Sequence, residues 1–153
     1  MKRRSIPHIE VALTANADLR AAVRAALPNE TGGILLGWRT ASGLFVGQAA
    51  EVPDPDATTH RYERNFASAK EMLQAALANQ PSDSLLGYVG EWHSHPAPVA
   101  ASNADLRWIR HLARDLGGPI ALVIASLTAD TWRLSGTLAG RFRTQTTVIK
   151  DQT

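Results

Sequence analysis

Hydrophobic residues follow two different periods along this chain, and the two periods predict seven strands and three helices. Alternation at every second residue is typical of a half-buried strand, whereas an apolar stripe every three or four residues is typical of a helix. The predicted strands span 6–13, 32–39, 43–52, 85–95, 119–127, 130–138 and 140–149, and the predicted helices span 17–27, 65–80 and 102–116.

The interleaved order of these elements predicts an α/β fold with a mixed central sheet and helices packed on its faces. The stretch 119–127, "PIALVIASL", is apolar almost throughout, which predicts a strand buried on both faces. Asn16 or Asp18 is expected near the start of the first helix, and Asn65 is expected to cap the second. At 153 residues, the chain is expected to form one domain, 1–153.

The second helix and the segment before it carry two further expectations. The segment 53–64 shows no periodic pattern of hydrophobic residues and contains two prolines, so we expect a functional loop at the surface. In the helix that follows, an apolar stripe is expected to face the core: Phe66, Ala69, Met72, Leu73, Ala76 and Leu77.

Composition narrows the chemistry that the chain can carry. There are no cysteines, so any metal must be held by nitrogen and oxygen ligands. The formal charge of +2 is too small to indicate nucleic-acid binding, and we interpret Arg107, Arg110 and Arg114 as a solvated helix face. Neither a membrane span nor a secretory signal is evident, so we expect a cytoplasmic protein without a membrane partner.

A pair of histidines stands at the end of the fourth predicted strand, in "GEWHSHP". Side chains two residues apart on a strand point to the same side, so His93 and His95 lie side by side while Trp92 and Ser94 face the other way. Two imidazoles placed like this can converge on one zinc-like ion, although a bare His-x-His is also found as two polar residues at a strand end. For Trp92 we predict core packing.

The next predicted helix supplies a third candidate ligand. Ser102 and Asp105 are three residues apart at its start, a spacing typical of a capping box. A carboxylate in a first turn can also reach outward to a metal. With the two histidines it gives three ligands and leaves a fourth position for water, as in catalytic zinc sites.

Zinc-activated water also needs a base, and spacing alone does not choose it. Glu91 lies on the same strand face as the histidines and is the local candidate. Glu30 is distant in sequence, in a turn before the strand "GGILLG".

Together these motifs resemble the JAMM (MPN) metalloproteases, including their prokaryotic JAB-type members. The elements are "ETGGILLG" from Glu30, "EWHSHP" with His93 and His95, and "SNAD" with Ser102 and Asp105. The resemblance runs from about residue 8 to 140. Six residues separate His95 from Ser102, where the family usually has seven, and Ala101 stands where a proline is common.

The resemblance implies a site and a fold. His93, His95 and Asp105 would bind Zn²⁺, Glu30 would be the general acid/base, and Ser102 would help to hold the oxyanion. Glu91 would then be a strand residue. The implied fold is a curved mixed sheet flanked by helices, in a three-layer arrangement like that of cytidine deaminases.

The resemblance also implies a substrate class. Family members cleave the amide at the C-terminus of ubiquitin or a ubiquitin-like protein, and small prokaryotic members resemble deconjugases of anti-phage (CBASS-type) operons, where the released protein is cGAS-like. The alternatives are processing of a sulfur-carrier protein and a non-catalytic interaction domain like the metal-free MPN scaffolds. The conjugate cleaved and the oligomeric state are left open by the sequence.

Overall fold

The computed structural model describes residues 7–140 and 143–151, and its elements follow the predicted order. The helices are α1 (Leu13–Ala26), α2 (Phe66–Ala78) and α3 (Asn103–Leu116). The strands are β1 (His8–Val11), β2 (Gly32–Thr40), β3 (Gly43–Glu51), β4 (Gly87–His95), β5 (Ile120–Thr128), β6 (Thr131–Ala139) and β7 (Thr144–Asp151).

The seven strands form one curved sheet whose ends meet. Neighbours run in the order β1-β3-β2-β4-β5-β6-β7, and β1 also pairs with β7, which closes the ladder. Three pairs are parallel (β1 with β3, β1 with β7, and β4 with β5), and the other four are antiparallel. This confirms the α/β fold with a mixed curved sheet.

The helices cover the two faces of the sheet in three layers. On one face, Leu19 and Val23 of α1 belong to the largest buried cluster, together with Trp92. On the other face, α3 packs against β5 and α2 packs against β2. The strand β5 contributes alternate side chains to both faces and is buried along nearly its whole length, as its apolar sequence predicted.

The start of α1 differs from the prediction. Strand β1 ends at Val11, and the backbone N–H of Ala12 bonds to the carbonyl of Val46, so the chain turns at once into a helix that begins at Leu13. Asn16 and Asp18 therefore lie inside the helix and do not cap it; Ala12 is the N-cap. The Asn16 amide instead accepts a hydrogen bond from Trp132 Nε1, at 2.8 Å.

Other boundaries shift by a few residues. Strand β4 begins at Gly87 rather than at 85, and β7 spans Thr144–Asp151 rather than 140–149. The start predicted for the first strand, at 6, and positions 141–142 of the last one lie outside the described residues. Within the described part of the chain, the helices are too short and too polar to cross a membrane.

The second helix keeps its predicted cap and half of its predicted stripe: Ala69, Leu73 and Ala76 pack in the cluster that includes β2. Asn65 accepts from the backbone N–H of Ser68, at 2.9 Å, which confirms the cap. Ala69 is buried, but the side chains of Phe66, Met72 and Leu77 are exposed. The helix touches the sheet along a narrower line than its apolar residues suggested, and Phe66 is left free to line a cleft.

Candidate metal centre and its cleft

The end of β4 carries the two histidines on the face that α3 covers. Because they are two residues apart on a strand, their rings lie side by side, and their Nε2 atoms are 3.1 Å apart. Both side chains are largely buried, with 11% and 12% of their surface exposed for His93 and His95. Trp92 points to the opposite face and is buried in the core, as predicted.

The first turn of α3 brings Asp105 to the histidines. Ser102 caps the helix: its Oγ accepts from the Asp105 N–H at 3.1 Å, and its own N–H donates to Asp105 Oδ2 at 2.8 Å. This is the predicted capping box, and it fixes the carboxylate. Asp105 Oδ1 is 3.3 Å from His93 Nε2, and Oδ2 is 3.4 Å from His95 Nε2. The short link after His95 therefore does not separate the three residues.

The spacing of these atoms fits a small tetrahedral cation. A tetrahedral zinc with ligands at about 2.0–2.1 Å places neighbouring ligand atoms roughly 3.3 Å apart. The two Nε2 atoms are 3.1 Å apart, close to that spacing, and each lies 3.3 or 3.4 Å from a different oxygen of the Asp105 carboxylate; one ligand atom from each residue can be chosen so that all three lie within 4.8 Å of one another. The residues present, His93, His95 and Asp105, thus form a candidate metal site with two nitrogen ligands and one oxygen ligand.

Hydrogen bonds orient these side chains for such a role. His95 Nδ1 lies 3.3 Å from the carbonyl oxygen of Val99, and because a carbonyl only accepts, this bond places the ring proton on Nδ1 and leaves Nε2 available. A hydrogen bond with Asp105 raises the pKa of His95. Burial raises the pKa of Asp105, but hydrogen bonds from His93 and His95 outweigh it and hold that pKa well below its usual range.

Glu30 lies in the turn between α1 and β2, and the charges of the two histidines affect the pKa of its carboxyl group. Burial raises the pKa of Glu30, while the charges of His95 and His93 partly oppose the rise. Its backbone N–H donates to the carbonyl of Thr58 in the 53–64 loop, at 2.8 Å. Because the next residue, Thr31, is hydrogen-bonded to Ser94 between the two histidines, the structure brings Glu30 near the histidine pair, although it is 63 residues from His93 along the chain.

Glu91, two residues before His93, has a different environment. Its side chain is 2% exposed, and Oε1 lies 2.8 Å from Nε of Arg64. Burial raises the pKa of Glu91 to about 7, although the guanidinium of Arg64 opposes the shift. This carboxylate is engaged in a buried ion pair, which fits the structural role that the family resemblance implied.

Ser102 lies at the edge of the cluster. Its hydroxyl oxygen is used as the acceptor of the helix cap, which leaves the hydroxyl proton free to donate. The residue is exposed and is absent from the walls of the cleft, so it joins the site through Asp105.

The segment 53–64 forms one wall of a cleft of about 480 Å³ beside His93. Tyr62 is anchored through its hydroxyl, which donates to the carbonyl of Val52 at 2.7 Å, and its ring centroid is 6.4 Å from that of His93. A Cβ atom on Gly32 would lie 2.4 Å from the Tyr62 ring, so only glycine permits this close approach.

Sequence reasoning missed the residues that complete this cleft. Arg64 lies 5.7 Å from the ring centroid of Trp108 and joins the loop to α3. Phe66 and Trp108 add exposed aromatic surface to the walls. The only sequence signal was an aromatic and basic run, "HRYER", in an aperiodic segment.

Comparisons with known proteins give the family. The family model described as prokaryotic homologs of the JAB domain matches residues 14–135. The chain belongs to this family. The match includes Glu30, both histidines and Asp105, so the candidate metal site of this JAB protein lies inside the family region.

A solved structure supports the same fold. The solution structure of protein DSY2949 from Desulfitobacterium hafniense is similar to this JAB protein, with a TM-score of 0.68 and 21% sequence identity. The similarity covers 94% of this chain and 92% of that one. No curated protein sequence matches the chain.

Proposed function

We propose that this JAB protein is a zinc-dependent peptidase or isopeptidase. One observation carries the proposal: two imidazole nitrogens and one carboxylate converge within a few ångströms of one another, and the charges of the same histidines act on the carboxyl group of Glu30. Three ligands leave one coordination position free, as in catalytic rather than structural zinc sites.

In the proposed reaction, water adds across a peptide or isopeptide bond. Zinc, when bound, polarises the carbonyl and lowers the pKa of water. Glu30 takes the proton that the attacking water loses and delivers it to the leaving nitrogen, so that a carboxylate and an amine are formed. Burial raises the pKa of Glu30 above its ordinary value, which makes its carboxylate a better proton acceptor.

Ser102 is proposed to support the oxyanion that develops on the attacked carbonyl. Its hydroxyl proton is free, because the cap uses the oxygen as an acceptor. A preorganised donor aimed at the developing charge stabilises the transition state without reorganisation.

For the substrate, we propose the C-terminal tail of a ubiquitin-like protein, joined by an amide to a second protein or to a peptide extension. Family membership and the walled cleft beside His93 support a protein substrate. Tyr62, Phe66 and Trp108 offer aromatic surface to an extended peptide. We further propose that the natural conjugate belongs to an anti-phage operon with a cGAS-like protein, and that the enzyme acts in the cytoplasm.

The experiment is a cleavage assay on the zinc-loaded protein. A ubiquitin-like protein with a short C-terminal peptide extension is incubated with wild type, with Glu30→Gln and with wild type plus a zinc chelator. We expect mass spectrometry to show a single cut at the end of the tail, made by untreated wild type alone. A zinc-loaded wild type that cleaves neither this fusion nor a lysine-linked conjugate would support a non-catalytic interaction domain instead.

A further inference from the structure

We infer that Ser94, the residue between the two candidate zinc ligands, is a positioning residue for Glu30. The inference rests on the proposed function, because it concerns how the base is held against the metal centre. Ser94 is 3% exposed and faces away from the histidines, so it does not take part in the metal cluster itself.

Ser94 forms a short network with Thr31, the residue that follows Glu30. The backbone N–H of Ser94 donates to the Thr31 carbonyl at 2.8 Å, and the N–H of Thr31 donates to Ser94 Oγ at 2.9 Å. The Ser94 hydroxyl lies 3.3 Å from the same Thr31 carbonyl and donates to it. Thr31 is also 3% exposed, so this network is closed to water.

The Ser94 hydroxyl takes the place of the backbone carbonyl that regular strand pairing would use as a hydrogen-bond acceptor. Strands β2 and β4 are antiparallel, and their pairing ends with Gly32 opposite His93, so Thr31 and Ser94 come next in register. One of the two expected bonds is present, from the Ser94 N–H. The other is replaced, because the Thr31 N–H bonds to the Ser94 side chain. The regular pairing of β2 with β4 therefore ends at Thr31, and the bond to the Ser94 hydroxyl fixes the position of the backbone there.

Glu30 is consequently held on both sides. Its own N–H bonds to the carbonyl of Thr58, and the next N–H along the chain bonds to Ser94. Thr31 is tied further by its hydroxyl, which donates to Glu51 Oε1 at 2.7 Å. Because Ser94 is joined covalently to His93 and His95, its bond to Thr31 fixes the base relative to the metal ligands.

The first test compares two substitutions at this position. Ser94→Ala removes the acceptor, while Ser94→Thr keeps a hydroxyl on the same carbon. We expect Ser94→Ala to lower kcat about 10- to 100-fold, since misplacing a reacting group by about 1 Å costs up to ~100-fold. KM and the zinc content should stay as in wild type. Ser94→Thr should recover most of kcat.

A double-mutant cycle separates positioning of Glu30 from general damage. In a Glu30→Ala background, Ser94→Ala should lower the residual rate by less than twofold, because the group that it positions is gone. Ser126→Ala is the matched control. Ser126 is 3% exposed like Ser94, but its Oγ has no hydrogen-bond partner within the described residues, so we expect an unchanged kcat.

A second measurement does not depend on activity. Hydrogen exchange of the Thr31 amide should be slow in wild type and in Ser94→Thr, and at least tenfold faster in Ser94→Ala, with the Leu35 amide of β2 unchanged. If wild type cleaves no substrate, the proposed function fails while this readout still tests the network. The inference would be overturned if the exchange rate of the Thr31 amide were unchanged in Ser94→Ala. It would also be overturned if Ser94→Ala lowered kcat by the same factor with Glu30 present and with Glu30 replaced by alanine.

Discussion

Two glutamates in this protein lie near the same pair of histidines, yet their surroundings differ completely. Glu91 is on the same strand and face as His93, two residues away, but it is buried and its carboxylate is 2.8 Å from the Arg64 guanidinium. Glu30 is far away in sequence and half-buried, and the charges of His95 and His93 act on it directly.

Closeness to the histidines along the strand therefore does not by itself mark a carboxylate as the proposed base. A carboxylate that already neutralises a buried cation is not free to exchange protons with a substrate without leaving that cation unpaired. Burial raises the pKa of both glutamates, so the contrast lies in their partners: Arg64 pairs with Glu91, whereas the histidine charges act on Glu30. The two glutamates therefore have separable roles, and four substitutions or conditions test the separation.

The largest effect is expected from Glu30→Gln. Loss of a general acid/base costs about 10²–10⁴-fold in rate, so kcat should fall by that factor while zinc stays bound at one ion per chain. Steady-state kinetics with metal analysis of the same sample measures both. Glu91→Gln is the companion variant; a greater loss of kcat there than at Glu30 would reverse the assignment.

The next effect concerns folding. Glu91→Ala leaves the Arg64 guanidinium buried without its partner, and the free energy of unfolding should fall by about 3–5 kcal/mol. Replacing both residues by apolar ones, Glu91→Leu with Arg64→Met, should recover most of that loss, since the unpaired charge is gone. Denaturant unfolding followed by fluorescence gives the values. Unchanged stability in Glu91→Ala would mean that the ion pair is not structural.

A smaller effect is expected from Asp105→Ala. Removing one of three ligands should weaken zinc binding about 100-fold or more, and it also removes the side-chain half of the cap on α3. Ser102→Gly is the control, because it removes the serine side chain from the cap but leaves the carboxylate. Competition with a chromophoric chelator measures both affinities. Equal zinc affinity in Asp105→Ala and wild type would require another oxygen ligand.

The smallest effect is a pH dependence of zinc stabilisation. The pKa of His95 is raised above 6.5, so in the metal-free protein its bond to Asp105 contributes stability that is complete below 6.5 and is lost as pH rises through the folded value. Zinc must displace that proton. The increase in Tm on adding zinc should therefore be larger at pH 8 than at pH 6. An equal or larger increase at pH 6 would contradict this link.

Local patterns predicted much of the fold and of the site. The pairing of His93 with His95 follows from strand parity, and the placement of Asp105 follows from a capping box, because both are set by residues only a few positions apart. The choice of Glu30 needed the family resemblance, since its approach depends on the pairing of β2 with β4. The predicted start of α1 was wrong because Asn16 and Asp18, two residue types that often cap helices, lie inside this helix.

The cleft could not be predicted from local patterns. Tyr62 and Arg64 have no periodic signal, and their contacts with His93, Glu91 and Trp108 join segments that are distant in sequence. The hydroxyl of Ser94 was also missed as a contact, because its partner lies 63 residues away. Such contacts follow from the closed strand order, which no single segment encodes.

The central claim is that His93, His95 and Asp105 hold zinc, and equilibrium dialysis tests it most directly. Metal-free wild type is dialysed against zinc at pH 7.5, beside a His93→Ala, His95→Ala variant. We predict one zinc per chain for wild type, with a dissociation constant in the micromolar range or tighter, and none for the variant at the same concentration. Absence of zinc from wild type, or equal binding by both proteins, would contradict the account.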